Sequence, residues 1–282
     1  MLKKIISCLV SLLIVSVAYG EERLNISSIL MRSTFKIQEG KNVGTVFILG
    51  QPMENDASRV YYVLFTASHV LNSMKNDFAT IFIRKFENDK FIKLPFKTKI
   101  RSNGQPLWVS HPQVDVAAMR ISLPRNIDIK LISTELIATD DFIKNFEVNP
   151  GDDLLILGFP YGAEANEAGF PILRSGRIAS YPLTPTKTTK TFLLDFEIFG
   201  GNSGGPVFMC SRNRAYGGST HIGVVRQLMG IVTQEKQIIE HVQTMEEKIL
   251  KKHKLSLAVI VHANFLKDLL SMLPKINNKE NL

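Results

Sequence analysis

The chain has 282 residues, 45% of them hydrophobic and 21% charged, a balance that excludes a disordered protein and leaves enough length for one large domain or two modest ones. Its formal net charge is +8, yet the basic residues are scattered, with only Lys251, Lys252 and Lys254 bunched around His253. No arginine-rich stripe alternates with aromatics, so nucleic-acid binding is not expected.

The first twenty residues read as an export signal. Lys3 and Lys4 give a positive start, Ile5 to Ala18 is almost wholly apolar, and Ala18-Tyr19-Gly20 offers small residues for cleavage after Gly20. The apolar run falls short of the ~20 residues a membrane-spanning helix needs. No membrane contact is expected beyond this segment. The expected location is secreted or periplasmic, in a bacterial setting, with a mature net charge of +6. Cleavage would discard Cys8 and leave Cys210 alone, so no internal disulfide is expected. Cys210 itself reads as a small apolar residue ending the strand Pro206-Val207-Phe208-Met209.

Strand-like runs rich in β-branched and aromatic residues recur between turn signals. They cover 43–49, 60–66, 80–84, 91–100 and 116–121, then 153–157, 172–178, 191–196, 206–209, 227–233 and 255–261. This spacing predicts all-β barrels rather than alternating strands and helices. The polar stretch 123–152 reads as a bridge. An N-terminal unit is therefore expected over 21–135 and a C-terminal one over 136–273, with a loose tail at 274–282. Two helices are predicted. One spans 234–254, where Ile238, Ile239, Val242, Met245, Ile249 and Leu250 fall on one stripe. The other spans 264–273, closed by Pro274.

The strongest chemical signal is Gly200-Gly201-Asn202-Ser203-Gly204-Gly205-Pro206. A serine hydroxyl is a weak nucleophile until a base takes its proton, and the anion then formed on the substrate needs aimed donors. Glycines around Ser203 allow a tight turn that points backbone N–H groups into one hollow, with Gly201 and Ser203 as the oxyanion donors. The base is expected on a short loop after a strand, which Val63-Leu64-Phe65-Thr66-Ala67-Ser68-His69 supplies in His69. Asp115, followed by four apolar residues, is costly to bury unless paired and fits as the carboxylate that orients the imidazole. The remaining histidines lack the companions of a zinc site, so no metal and no cofactor are expected. The Gly-x-Ser-x-Gly pattern of α/β-hydrolases is met literally, but a strand-like run rather than a helix follows the serine.

The order His69, Asp115, Ser203 is that of chymotrypsin-like enzymes. With it go Gly44-Thr45-Val46-Phe47, Thr66-Ala67-Ser68-His69-Val70, Asp115-Val116-Ala117, Gly151-Asp152, Gly158-Phe159-Pro160-Tyr161-Gly162, Ser175-Gly176, Asp195 and Gly230-Ile231-Val232. On these residues the chain resembles the trypsin-like serine peptidases, closest in pattern to the bacterial HtrA-type protease core and to glutamyl endopeptidases. The resemblance covers roughly residues 24–273. It implies an all-β, chymotrypsin-like fold of two packed six-stranded antiparallel β-barrels, with the triad in the cleft between them and a C-terminal helix. The helix predicted at 234–254 becomes an insertion.

Departures sharpen the expectation. Trypsin-type zymogens carry an aspartate before the nucleophile to receive a freed N-terminal amine; Asn202 has no charge to do so. No PDZ domain is expected after the core. Position in the motif puts Glu197, Ile198 and Phe199 on one side of the primary substrate pocket and Thr233 and Glu235 on the other, with Thr233 also able to reach Asp115. Val232 stands where glutamyl endopeptidases carry histidine, which argues against glutamate and towards a small or medium apolar side chain. Protein or peptide substrates are expected, through an acyl-enzyme. The sequence says nothing of oligomeric state. The alternative reading is a catalytically silent trypsin-like fold that binds proteins.

Overall fold

A computed structural model describes residues 26–53, 56–243 and 248–274. The expected signal peptide (1–20) and nearly all of the expected tail (275–282) lie outside the described residues.

A short helix, Ile26–Ser33, precedes strands β1 (Thr34–Glu39), β2 (Asn42–Met53) and β3 (Asp56–Thr66). The helix Ser68–Ser73 follows, and then β4 (Phe78–Glu87), β5 (Lys90–Lys99), β6 (Arg101–Ser102), β7 (Gln105–Pro106), β8 (Val109–Ser110) and β9 (Ala117–Arg120). The second half holds β10 (Asp153–Gly158), β11 (Ile172–Ile178), β12 (Thr191–Asp195), β13 (Pro206–Arg212), β14 (Ala215–Tyr216), β15 (Ser219–Thr220), β16 (Val224–Gln243) and β17 (Lys248–His262), and closes with the helix Asn264–Met272. The chain is all-β in class, as expected.

The second half is a closed six-stranded barrel in the order β10-β11-β12-β17-β16-β13. The first half is a seven-stranded sheet, β5-β4-β1-β2-β3-β9-β8, whose ladder leaves two edges. Both edges carry features that discourage further pairing. β5 has Pro95, which has no N–H to donate, and Lys90, Lys93, Lys97 and Lys99, while β8 has only two residues.

The side-chain period of two sorts each strand's residues between cores. In β2, Val46 and Ile48 face the core of the first half, whereas Phe47 and Leu49 face a core shared between the halves. Leu64 against Val63 and Phe65 in β3, and Ala117 against Val116 and Ala118 around β9, divide the same way. In the second half, Val207 and Met209 of β13 turn into the barrel and Phe208 turns into the shared core. The closing helix adds Phe265, Leu266 and Leu269 to that shared core. The two halves are therefore joined by a continuous apolar layer, which fixes how the cleft edges meet.

Where the sequence predicts a helix over 234–254, residues 234–243 and 248–254 are strand, and residues 244–247, with Met245, lie outside the described residues. β16 and β17 run on past the barrel and pair antiparallel from Gln237↔Lys254 to Gln243↔Lys248. The three-and-four spacing of apolar residues is compatible with a helical stripe. Here, however, the segment extends a ladder already anchored at Gly230↔His262, and tertiary pairing overrides the helical preference of its Glu, Lys and Gln residues. The helix predicted at 264–273 is present as Asn264–Met272.

Candidate active site

β3 ends at Thr66, and the helix Ser68–Ser73 begins at once, carrying His69 on its first turn while Val70 and Leu71 anchor it in the first core. Gly44 of β2 lets this turn come close, because a Cβ there would overlap Val70. Asp115 sits in the bend before β9. One of its oxygens accepts the backbone N–H of His69 at 2.9 Å, and the other meets His69 Nδ1 at 2.6 Å.

Burial pushes the Asp115 carboxyl up, but the hydrogen bond and charge of His69, with the backbone N–H groups of His69 and Ser68, outweigh it and hold Asp115 below the ordinary carboxylate range. An ionised carboxylate only accepts, so Nδ1 carries the proton of this bond and Nε2 is the ring nitrogen left to exchange a proton.

Ser203 lies in a turn built against the first half of the chain. Gly201 has φ +95° and Gly204 φ +88°, and a Cβ would overlap the carbonyl oxygen of Phe159 at the first and that of Thr45 at the second. Thr45 grips the turn twice. Its N–H donates to Ser203 O at 2.9 Å and its hydroxyl to Gly201 O at 2.7 Å, while its own carbonyl accepts from Thr66 Oγ1 at 2.7 Å. The serine turn is thereby fastened to the strand end that leads into His69. The N–H groups of Gly201 and Ser203, by contrast, have no acceptor among the described residues. Asn202 is buried at 2% exposure with its Nδ2 unpartnered among the described residues, so no ion pair forms at this position.

The hydroxyl of Ser203 donates to the carbonyl of Thr233 at 3.1 Å, and no hydrogen bond joins it to His69 among the described residues. The Thr233 carbonyl is available because β16 bulges there. Val232 pairs with Ile260 and Gln234 with Val259, which leaves Thr233 between them. The Thr233 hydroxyl donates to Val259 O at 3.1 Å rather than to Asp115, which corrects the contact expected from the sequence.

Of the other residues expected near the substrate pocket, Glu197 is exposed and its carbonyl accepts from Arg174. Ile198 is buried in the barrel core. Glu235 is ion-paired to Lys254 at 3.1 Å, with only 9% of its side chain exposed. That hydrogen bond and the charge of Glu235, joined by Tyr161 and Glu197, raise the Lys254 ammonium above its usual range. Reasoning from sequence missed Lys254 because a helix at 234–254 would have kept it away from the cleft. Thr45 and Tyr161, whose N–H donates to Gly200 O at 2.5 Å, belonged to quoted motifs without a role. Among the described residues, no cluster of three His, Cys, Asp or Glu could hold a metal ion.

Residues 44–217 match the family described as the trypsin-like peptidase domain. No curated protein matches the chain significantly. Among solved structures, an inactive serine-to-alanine mutant of Rv3671c from M. tuberculosis H37Rv is similar over 93% of this chain and 94% of that one, at 16% identity and a TM-score of 0.44.

Proposed function

Because the chain belongs to the trypsin-like peptidase family, we propose that it is an exported serine endopeptidase working through an acyl-enzyme. The observation that carries this reading is the double link between His69 and Asp115, which ties down Nδ1 and leaves Nε2 as the nitrogen that can take a proton. In the proposed cycle Ser203 Oγ exchanges its Thr233 partner for His69 Nε2 and attacks the scissile carbonyl as its proton passes to Nε2. The Gly201 and Ser203 N–H groups receive the oxyanion. Collapse expels the amine, which takes the proton from His69. Water, deprotonated by the same ring, then attacks the ester, and the ring gives that proton to Ser203 Oγ as the acid product leaves.

Export rests on the residue pattern of 3–20. A small or medium apolar side chain before the cut is supported by Lys254, which pairs with Glu235, one of the two acids expected beside the pocket. The bond from Ser203 to Thr233 favours the second reading, a silent fold that binds proteins. Labelling by an alkyl fluorophosphonate at neutral pH separates the two. The peptidase reading expects labelling of the folded protein and none of Ser203→Ala; a folded wild-type protein left unlabelled would overturn it. Profiling with a peptide library then reads the residue before the cut.

A further inference from the structure

The oxyanion donor Gly201 N–H belongs to the peptide between Gly200 and Gly201. In a trans peptide the C=O and N–H point in opposite directions, so whatever holds the oxygen of Gly200 also aims the nitrogen of Gly201. That oxygen is held by the N–H of Tyr161 at 2.5 Å. Tyr161 reaches it from a left-handed backbone, φ +52° and ψ +24°, a conformation that an aromatic residue keeps only when its surroundings enforce it.

The enforcing contacts come mainly from the other half of the molecule. Gly162, next in the chain, donates its N–H to Phe159 O at 2.8 Å and gives its carbonyl to Lys36 Nζ of β1 at 3.3 Å. Two residues on, the carboxylate of Glu164 is clasped by Lys36 at 2.5 Å and by Lys93 of β5 at 2.6 Å. The side chains of Glu164 and Lys36 are each only 12% exposed. At the far end of the same loop, the buried guanidinium of Arg84 on β4 donates to Gly169 O at 2.8 Å. A loop of the second half is thus docked by charge on the sheet of the first, and its opening turn holds the oxyanion peptide.

We propose that Glu164, clasped by Lys36 and Lys93, is a positioning residue that aims the Gly201 N–H through Tyr161 and Gly200. The inference rests on the peptidase reading. It gives the ion triad a role in the rate of the chemical step rather than in substrate affinity.

The test uses the mature wild-type chain, Glu164→Gln, Lys36→Met, Lys93→Met and the double variant Glu164→Gln with Lys36→Met. Each is checked for a cooperative melt, then for its rate of labelling by an alkyl fluorophosphonate and for kcat and KM on a fluorogenic peptide. Outright loss of an oxyanion donor costs about 10²–10³-fold. A donor left in place but poorly aimed should cost about tenfold in kcat and in labelling rate, with KM within about twofold. The double variant should be less slow than the product of its singles, since each already lacks the Lys36–Glu164 pair. Lys93→Met removes only one arm of the clasp, so it should show the same split at about threefold and supplies the reading if Glu164→Gln does not fold. Folded variants that label and turn over like wild type would overturn the inference alone, as would a loss carried wholly by KM. A folded wild-type chain that does not label would overturn the peptidase reading and this inference with it.

Discussion

His262 ends β17 two residues before the closing helix begins, and it is 2% exposed. Neither ring nitrogen has a hydrogen-bond partner among the described residues, and the Phe192 ring lies 4.8 Å from its own. Burial lowers its pKa from 6.5 to about 4, against the attraction of Asp140. Above pH 6.5 the ring is neutral in both folded and unfolded chains and has no effect on their balance. Between pH 6.5 and 4 the unfolded chain binds a proton that the folded one refuses, so stability falls as pH falls. By pH 4 the loss from this residue is about 3 kcal/mol, at 1.36 kcal/mol per pH unit of difference. Below that the folded ring protonates too, and the loss levels off.

His262→Leu removes the titrating group and keeps an apolar side chain of similar bulk. The measurement is urea denaturation of Ser203→Ala protein, with and without His262→Leu, from pH 7.5 to pH 4; the alanine prevents self-digestion. The parent should lose about 3 kcal/mol more than the variant across that window. Parallel losses in the two proteins, or a ring that titrates near 6.5 in the folded protein by NMR, would refute the reasoning.

Asp115→Asn keeps the shape of the orienting group but can donate to the ring, favouring the wrong tautomer; kcat on a fluorogenic peptide should fall by about 10⁴-fold with the melt little changed. Thr45→Val deletes the hydroxyl that satisfies Gly201 O while keeping the side chain's volume, and should cost about 1–3 kcal/mol in urea denaturation with a slower fluorophosphonate reaction. Gly204→Ala must place a Cβ at φ +88° against the Thr45 carbonyl, and should cost about 3 kcal/mol or more in the same assay. A fully stable Gly204→Ala protein would show that the turn is looser than described.

What could be read from the sequence follows from which residues had no alternative. Gly201, Gly204 and Gly205 are there because the carbonyl oxygens of Phe159, Thr45 and Leu157 occupy the space of a side chain, so their pattern survives as a motif. Strands such as 60–66 and 206–209 showed themselves because both faces are buried, one in a half's own core and one in the shared core. The alternation Phe35, Ile37 in β1 is as regular, but it spans six residues mixed with Lys36 and Gln38 and was passed over. Strands 234–243 and 248–254 read as a helix from sequence because their apolar residues satisfy a helical period, while their pairing depends on a barrel ladder that local sequence does not encode. Arg84 closed a predicted strand as an ordinary charged residue. In the structure it is fully buried, its guanidinium stacked 4.5 Å from Phe35 and 4.3 Å from Phe170, and it donates to four carbonyls drawn from three segments. Nothing in a single strand announces such a role.

The proposed chemistry divides between the halves: His69 and Asp115 come from the first, Ser203 and the Gly201 N–H from the second. Such a site is only as well aligned as the interface that joins its halves, and two kinds of contact set that alignment here. The shared apolar core is non-directional and fixes distance, because Phe47, Phe65, Phe208 and Phe265 from both halves are buried in it together. Orientation comes from polar contacts that cross the seam: Thr45 to the carbonyls of Gly201 and Ser203, and Lys36 and Lys93 to Glu164. A change in the apolar core should therefore move stability first, and a change in the crossing polar contacts should move the rate first. Phe208→Leu against Thr45→Val makes that contrast measurable, with the first losing more in urea denaturation per unit of kcat lost. If both lose rate and stability in the same proportion, the two kinds of contact are not separable in this fold.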